Sequence, residues 1–170
     1  LGEASYFPVP EVIGMAGELD GARCRYELAL LKDKDAKELK TKIIGAHNDE
    51  MIVSASNISE SLNENELAIL KKETSTGGAK IVKLLGTSAY YAPAAAAVKM
   101  CEMIVGKSDE IISASVLIDD ELSCGRLVRL GRDGLKEILE LNLDEDEQEQ
   151  LNKSEAEIRK NIKFLKENLE

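Results

Sequence analysis

Three residues of this 170-residue chain have the types and spacing for acid–base chemistry on a charged substrate. Asp20 and Arg23 stand three apart in "LDGARCRYELALLKD", a segment of helical periodicity, so both project from one helix face. His47, in "IIGAHNDEM", is the only histidine, and histidine is the side chain whose ordinary pKa lies nearest neutrality. A carboxylate beside an imidazole orients the ring and favours its protonated form. A guanidinium grips a carboxylate through two hydrogen bonds. An Asp–His pair with an Arg therefore suits proton transfer on a substrate that carries a carboxylate. Spacing alone leaves blander readings open. An Asp/Arg pair at this interval also describes an exposed helix ion pair, and a histidine in a turn is often only a polar turn residue. Nothing in the periodicity brings position 20 to position 47.

The elements that must position these residues are legible in outline. "PEVIGMAG" reads as a short buried strand that breaks at glycine. The helix that follows carries Leu19, Ala22, Tyr26, Ala29 and Leu30 near helical spacing, with Asp20 in its first turn. "TKIIGAH" and "EMIVSAS" read as two short strands around a tight "HND" turn, a hairpin with His47 at its tip. A long helix runs through "NENELAILKKETSTGGAKIVKLLG". Asn63 and Glu66 form a capping box, Gly77-Gly78 predict a kink or close packing, and Gly86 ends it. "SAYYAPAAAAVKMCEMIVG" starts another helix, with Pro93 early and an alanine run thin enough for close helix approach. "EIISASVLID", "GRLVRLG" and "GRDGLKEILEL" supply strands and a turn. An amphipathic helix from Asp144 onward carries Leu151, Ala156, Ile158, Ile162 and Leu165. The order is α+β, without the strand–helix alternation of a doubly wound parallel sheet.

Composition bounds the function. A net charge of −10 argues against a nucleic-acid partner, which needs a basic face. Much of the acid sits in "NLDEDEQEQ", read as a solvated helix start. No apolar run approaches the ~20 residues of a bilayer span, and "LGEASYF" lacks the marks of a signal peptide. The chain opens on leucine, so it is expected to be a piece of something longer. Cys24, Cys101 and Cys124 are odd in number and far apart, which suggests neither a metal site nor a disulfide framework. A reducing cytoplasm fits, with Cys24 and Cys101 as small core residues. No GxGxxG or GxxxxGK[ST] is present, so no nucleotide-phosphate loop is visible.

The wording of four segments adds a family. "VIGMAGELDGARCRYELA", "IIGAHNDEMIV", "STGGAKIVKLLGTSAYYAPAAAAVKMCEMI" and "LNKSEAEIRKNIKFL" together resemble the C-terminal half of the malate and lactate dehydrogenases, in order and over nearly the whole chain. The signatures are LDxxR, GxHGD and SAYYAPAAA. The resemblance implies an α+β fold of antiparallel strands against long helices, filling residues 1–170 as the catalytic, substrate-binding domain. It implies that Asp20 holds His47, that His47 carries the proton, and that Arg23 binds the substrate carboxylate. Ser88 would stand at the pocket wall. The cofactor would be NAD, held mainly by a Rossmann domain absent from this chain, so the chain alone would be inactive. Met51 and "SAYYAPAAAA" lean toward malate. The alternatives are an L-lactate or other 2-hydroxyacid dehydrogenase, or a non-catalytic oligomerisation module. The resemblance further implies a cytoplasmic enzyme of the tricarboxylic acid cycle, a homodimer or homotetramer acting on a small dicarboxylate, with no metal, nucleic acid or membrane partner.

Departures from the pattern are local. Asn48 stands where glycine is usual; if that turn needs a positive φ, Asn is among the better-tolerated replacements. "VSASNISESLNENEL" is shorter than its counterpart and lacks a proline. "VLIDDELSCGRLVRLG" lacks a longer loop. These touch the pocket edge and the subunit interfaces, not Asp20, Arg23 or His47.

Overall fold

The structure is a computed structural model and describes residues 8–48 and 50–168. The opening "LGEASYF" and Asp49 of the "HND" turn lie outside the described residues. Four helices, α1 (Ala16–Lys32), α2 (Glu64–Leu85), α3 (Tyr91–Ile104) and α4 (Glu145–Asn168), surround two antiparallel sheets. β1 (Ile43–Ile44) pairs with β2 (Ile52–Val53), and β3 (Ile112–Leu117), β4 (Ser123–Gly131) and β5 (Gly134–Leu139) form a meander. The expected α+β class is what the chain adopts. Among the described residues no helix is long and apolar enough to cross a membrane.

The short β1–β2 hairpin is sandwiched between two clusters. Register pairs Ile43 with Val53 and Ile44 with Ile52, and successive side chains of a strand point to opposite faces. Ile43 and Val53 enter a cluster with Cys24 and Leu28 of α1 and Leu70 of α2. Ile44 and Ile52 enter another with Leu127 of β4 and Leu151 of α4. Both faces are therefore dry, which is why "KIIG" and "MIV" read as apolar runs rather than alternations. A third cluster packs Met100 and Met103 of α3 against Ile112, Ala114 and Val116 of β3 and Val128 and Leu130 of β4.

Several local expectations need correction. "PEVIGMAG" is not a strand. Val9–Glu11 is a 3-10 turn with Pro8 before it and Pro10 within it, and only Gly14 makes a single bridge, to Ser115; Pro8 and Pro10 lack the N–H that strand pairing requires. α1 begins at Ala16, so Asp20 lies in its second turn, and Glu18 occupies the first. Its core-facing positions are Leu19, Cys24 and Leu28, while Tyr26 (59% exposed) and Leu30 (62%) face outward. Gly77-Gly78 do not kink α2, which runs unbroken from its Asn63/Glu66 capping box to Gly86. They serve close packing instead, against the Arg23 side chain. The alanine face of α3 is largely exposed; the helix buries Ala96, Met100 and Met103 against the sheet.

Cys101 is exposed, whereas Cys24 and Cys124 are buried. The acidic start of α4 is not wholly solvated either. Glu147 is 2% exposed. It exchanges capping hydrogen bonds with Asp144 and accepts from Ser54 Oγ at 3.3 Å. A carboxylate here serves the helix cap and tethers the end of β2 at once.

Candidate active site

The turn that carries His47 is held by neighbours distant in sequence. Gly45, with φ of +89°, exchanges two backbone hydrogen bonds with Gly125 of β4, each 3.0 Å. The Ala46 N–H donates to Ser154 Oγ of α4 at 2.8 Å. Beyond His47, Asn48 Oδ1 accepts from the Glu50 N–H at 2.9 Å, and the Met51 N–H donates to the Asn48 carbonyl at 3.1 Å. Asp33 is the only non-glycine with a positive φ among the described residues. The turn therefore does not ask Asn48 for the left-handed backbone that glycine would favour, and Asn48 supplies a side-chain turn contact that glycine lacks.

The hairpin and α1 bring the expected residues together. One Asp20 oxygen, Oδ2, lies 2.6 Å from His47 Nδ1. The other, Oδ1, accepts from Arg23 Nη1 at 3.2 Å. An ionised carboxylate only accepts, so Nδ1 carries the hydrogen and Nε2 is left as the basic nitrogen. The Asp20 side chain is 2% exposed and that of His47 48% exposed. The carboxylate is thus sealed behind the ring, and the ring is open on its other side. Burial pushes the Asp20 carboxyl above its ordinary value, while the hydrogen bonds and charges of His47 and Arg23 oppose that shift.

Arg23 lies between Asp20 and α2. A Cβ at Gly78 would stand 3.2 Å from Arg23 Nη2, so the glycine pair is what lets the guanidinium lie flat on the helix. Arg23 Nε is buried and has no acceptor among the described residues. A cavity of about 230 Å³ adjoins the pair, lined by Asp20 and His47 together with Gly17, Ser115, Cys124 and Ile158. Arg23 and Ser88 do not line it. Ser88 is exposed in the loop between α2 and α3. The contacts of Gly125 and Ser154 had no sequence signal of their own: Ser154 stands 108 residues from Ala46 and reads as one more position on an amphipathic helix. Among the described residues no group of three or more His, Cys, Asp or Glu could hold a metal ion.

Both the sequence and the fold match proteins already known. Residues 17–169 fit the sequence profile of the lactate/malate dehydrogenase, alpha/beta C-terminal domain. The chain belongs to the lactate/malate dehydrogenase family. Among relatives, the probable malate dehydrogenase of Campylobacter jejuni is 41% identical over 166 residues, covering 91% of this chain and 55% of that protein. The malate dehydrogenase of Pelodictyon phaeoclathratiforme is 38% identical over 176 residues, covering 96% and 57%. Among solved structures, malate dehydrogenase from Salinibacter ruber superposes with a TM-score of 0.89 at 32% identity, over 99% of this chain and 60% of that one. The lactate dehydrogenase from Cryptosporidium parvum, complexed with lactic acid and nicotinamide adenine dinucleotide, gives 0.91 at 28% identity, over 97% and 58%. The chain spans about half the length of the curated relatives it matches.

Proposed function

We propose that this lactate/malate dehydrogenase domain is the substrate-binding and proton-transfer half of an NAD-dependent malate dehydrogenase, interconverting malate and oxaloacetate. The observation that carries the reading is the shared carboxylate: Asp20 holds His47 Nδ1 through one oxygen and Arg23 Nη1 through the other. His47 Nε2 then takes the proton of the substrate hydroxyl as the carbonyl forms, and returns it in the reverse reaction. Asp20 keeps the ring in the tautomer that leaves Nε2 basic and balances the charge the ring gains. Arg23 grips a substrate carboxylate in a two-pronged contact; its unpartnered Nε is consistent with a guanidinium whose donors Asp20 does not exhaust. Ser88 is assigned to the outer wall of the substrate pocket.

NAD fits this site at one edge only. His47 presents a half-exposed ring beside which a substrate carbon can lie, but the chain has no glycine-rich phosphate loop. When bound, NAD supplies the acceptor or donor of the hydride at that carbon. A dinucleotide-binding half, outside residues 1–170, would hold the rest of it, and without that half the chain should be inactive. The same reading makes the enzyme a cytoplasmic member of the tricarboxylic acid cycle and a homodimer or homotetramer. The outward-facing Tyr26 and Leu30 of α1 are suited to such a subunit contact.

The test is His47→Asn in the full-length protein, assayed with NADH against oxaloacetate and pyruvate. The expected result is a kcat lower by about 10³-fold or more with NADH binding nearly intact. A kcat within about tenfold of wild type refutes the proton-carrier role. Preference for pyruvate in the unmutated protein would replace malate with lactate and leave the site assignments standing.

A further inference from the structure

We propose that Ser154, on the C-terminal helix, is a positioning residue for His47; the inference rests on the proton-carrier reading above. Its side chain is fully buried, and its Oγ accepts the Ala46 N–H at 2.8 Å. Ser154 also lies against Gly45, where a Cβ would come within 3.2 Å of the same oxygen. One hydroxyl therefore binds the residue before His47 and occupies the space that a side chain on the residue before that would need. Asp20 orients the ring from the side-chain end, and Ser154 and Gly125 fix the main chain from which the ring is hung.

The helix is a rigid platform for this contact. One turn before Ser154, Leu151 is buried in the cluster with Ile44 and Ile52 of the hairpin. Two turns before, Glu147 accepts from Ser54 Oγ just after β2. Directly after it, Glu155 pairs with Arg126 of β4. One turn on, Ile158 lines the cavity that Asp20 and His47 share. The segment is thus anchored to both walls of the site, and it cannot follow the turn if the turn drifts. Loss of the Ser154 acceptor frees the Ala46 N–H and lets the His47 backbone move relative to Asp20. Small displacements of an acid–base group weaken proton transfer far more than substrate binding, because the contact matters most in the transition state.

The experiment is Ser154→Ala in the full-length protein, with Ser154→Thr and His47→Asn beside it. Ser154→Ala should lower kcat by about 10- to 100-fold while KM for oxaloacetate and for NADH stays within about twofold. The solvent deuterium isotope effect on kcat should rise, since proton transfer becomes slower than other steps. Ser154→Thr keeps the acceptor and should recover kcat to within about threefold of wild type. A kcat for Ser154→Ala within about twofold of wild type overturns the inference. So does a loss that Ser154→Thr shares in full, which marks a packing role. If Ser154→Ala does not fold, Ser154→Cys takes its place with the same expected split, because it is of similar size and a weaker acceptor. His47→Asn separates the two ideas: near-normal activity there sinks the proton-carrier reading, whereas an inactive His47→Asn beside a normal Ser154→Ala sinks only the role of Ser154.

Discussion

Gly125→Ala asks whether β4 sets the position of the His47 turn. A Cβ built on Gly125 lies 2.5 Å from the Gly45 carbonyl oxygen and 3.3 Å from the Gly45 nitrogen. Close carbon–oxygen contacts settle near about 3.3 Å, so strand and turn must part by about 0.8 Å. The two Gly45–Gly125 hydrogen bonds are 3.0 Å long, and that separation takes both beyond hydrogen-bond range. Two backbone bonds at about 1 kcal/mol each and overpacking of about 1–3 kcal/mol give a local cost of about 3–5 kcal/mol. The obstacle is main chain on both sides, so no flexible side chain can yield in its place.

The assay is amide hydrogen exchange on a peptide containing Gly45 and Ala46, followed by mass spectrometry, in the full-length protein. A local opening easier by about 3–5 kcal/mol speeds exchange there by about 10²- to 10⁴-fold. Peptides from α3, which packs on the opposite face of the meander against Ile112 and Val128, should change far less. The turn carries His47, so kcat should fall by about 10²-fold in parallel. Exchange at Gly45 and Ala46 within about threefold of wild type would show that the bridge does not hold the turn, and the argument from Gly125 would fail.

Other changes probe the remaining members of the site. Arg23→Lys should raise KM for oxaloacetate by about tenfold or more with a smaller effect on kcat, because an ammonium cannot make the two-pronged contact; an unchanged KM counts against its substrate role. Native protein treated with a thiol reagent and mapped by mass spectrometry should label Cys101 quickly. Cys24, whose thiol burial pushes up to about 11, and Cys124, also pushed up by burial, should label only after unfolding. Rapid native labelling of either would contradict the packing described. Burial raises the Asp20 carboxyl above its ordinary 3.8, so its protonated form suits the fold better, and stability from this group is present below about pH 3.8 and lost as pH rises through the folded value. Asp20→Asn should therefore unfold at a higher temperature than wild type near pH 7, with the gap closing toward pH 3.8, while activity is lost. A lower midpoint for the variant at pH 7 would refute this sign.

The helices were the most legible part of the fold, because capping and periodicity are local. Asn63/Glu66 and Gly86 bracket α2 as read, and α4 starts at the expected acidic run. What misled were elements decided by tertiary neighbours. "PEVIGMAG" has strand-like composition, but Pro10 within it and Pro8 just before it lack the N–H that pairing needs. The apolar stripe assigned to α1 included Tyr26 and Leu30, which face outward, while Glu18, Asp20 and Gly21 face inward. Helical spacing locates a face but does not say which polar residues a site will bury on it. Glu147 shows the same limit: an acidic run at a helix start reads as solvated, and burial becomes evident only when Ser54 is brought against it.

The candidate site divides along the same line. Asp20 and Arg23 are three apart, and their shared helix face needed no structure. Joining Asp20 to His47, 27 residues away, depended on a resemblance in wording, because no local rule predicts the contact. The geometry adds a reason why that contact is firm: Ile43 and Val53 pin the hairpin to α1, Ile44 and Ile52 pin it to α4, and the turn between the strands inherits both constraints. His47 is half exposed, yet the backbone of the two residues before it is held by three hydrogen bonds that reach across the chain, from Gly45 to Gly125 twice and from Ala46 to Ser154 once. An exposed ring on an over-determined backbone can meet a substrate without drifting from its carboxylate. The residues that supply that rigidity, a glycine and a serine with no chemistry of their own, are the ones a motif search passes over.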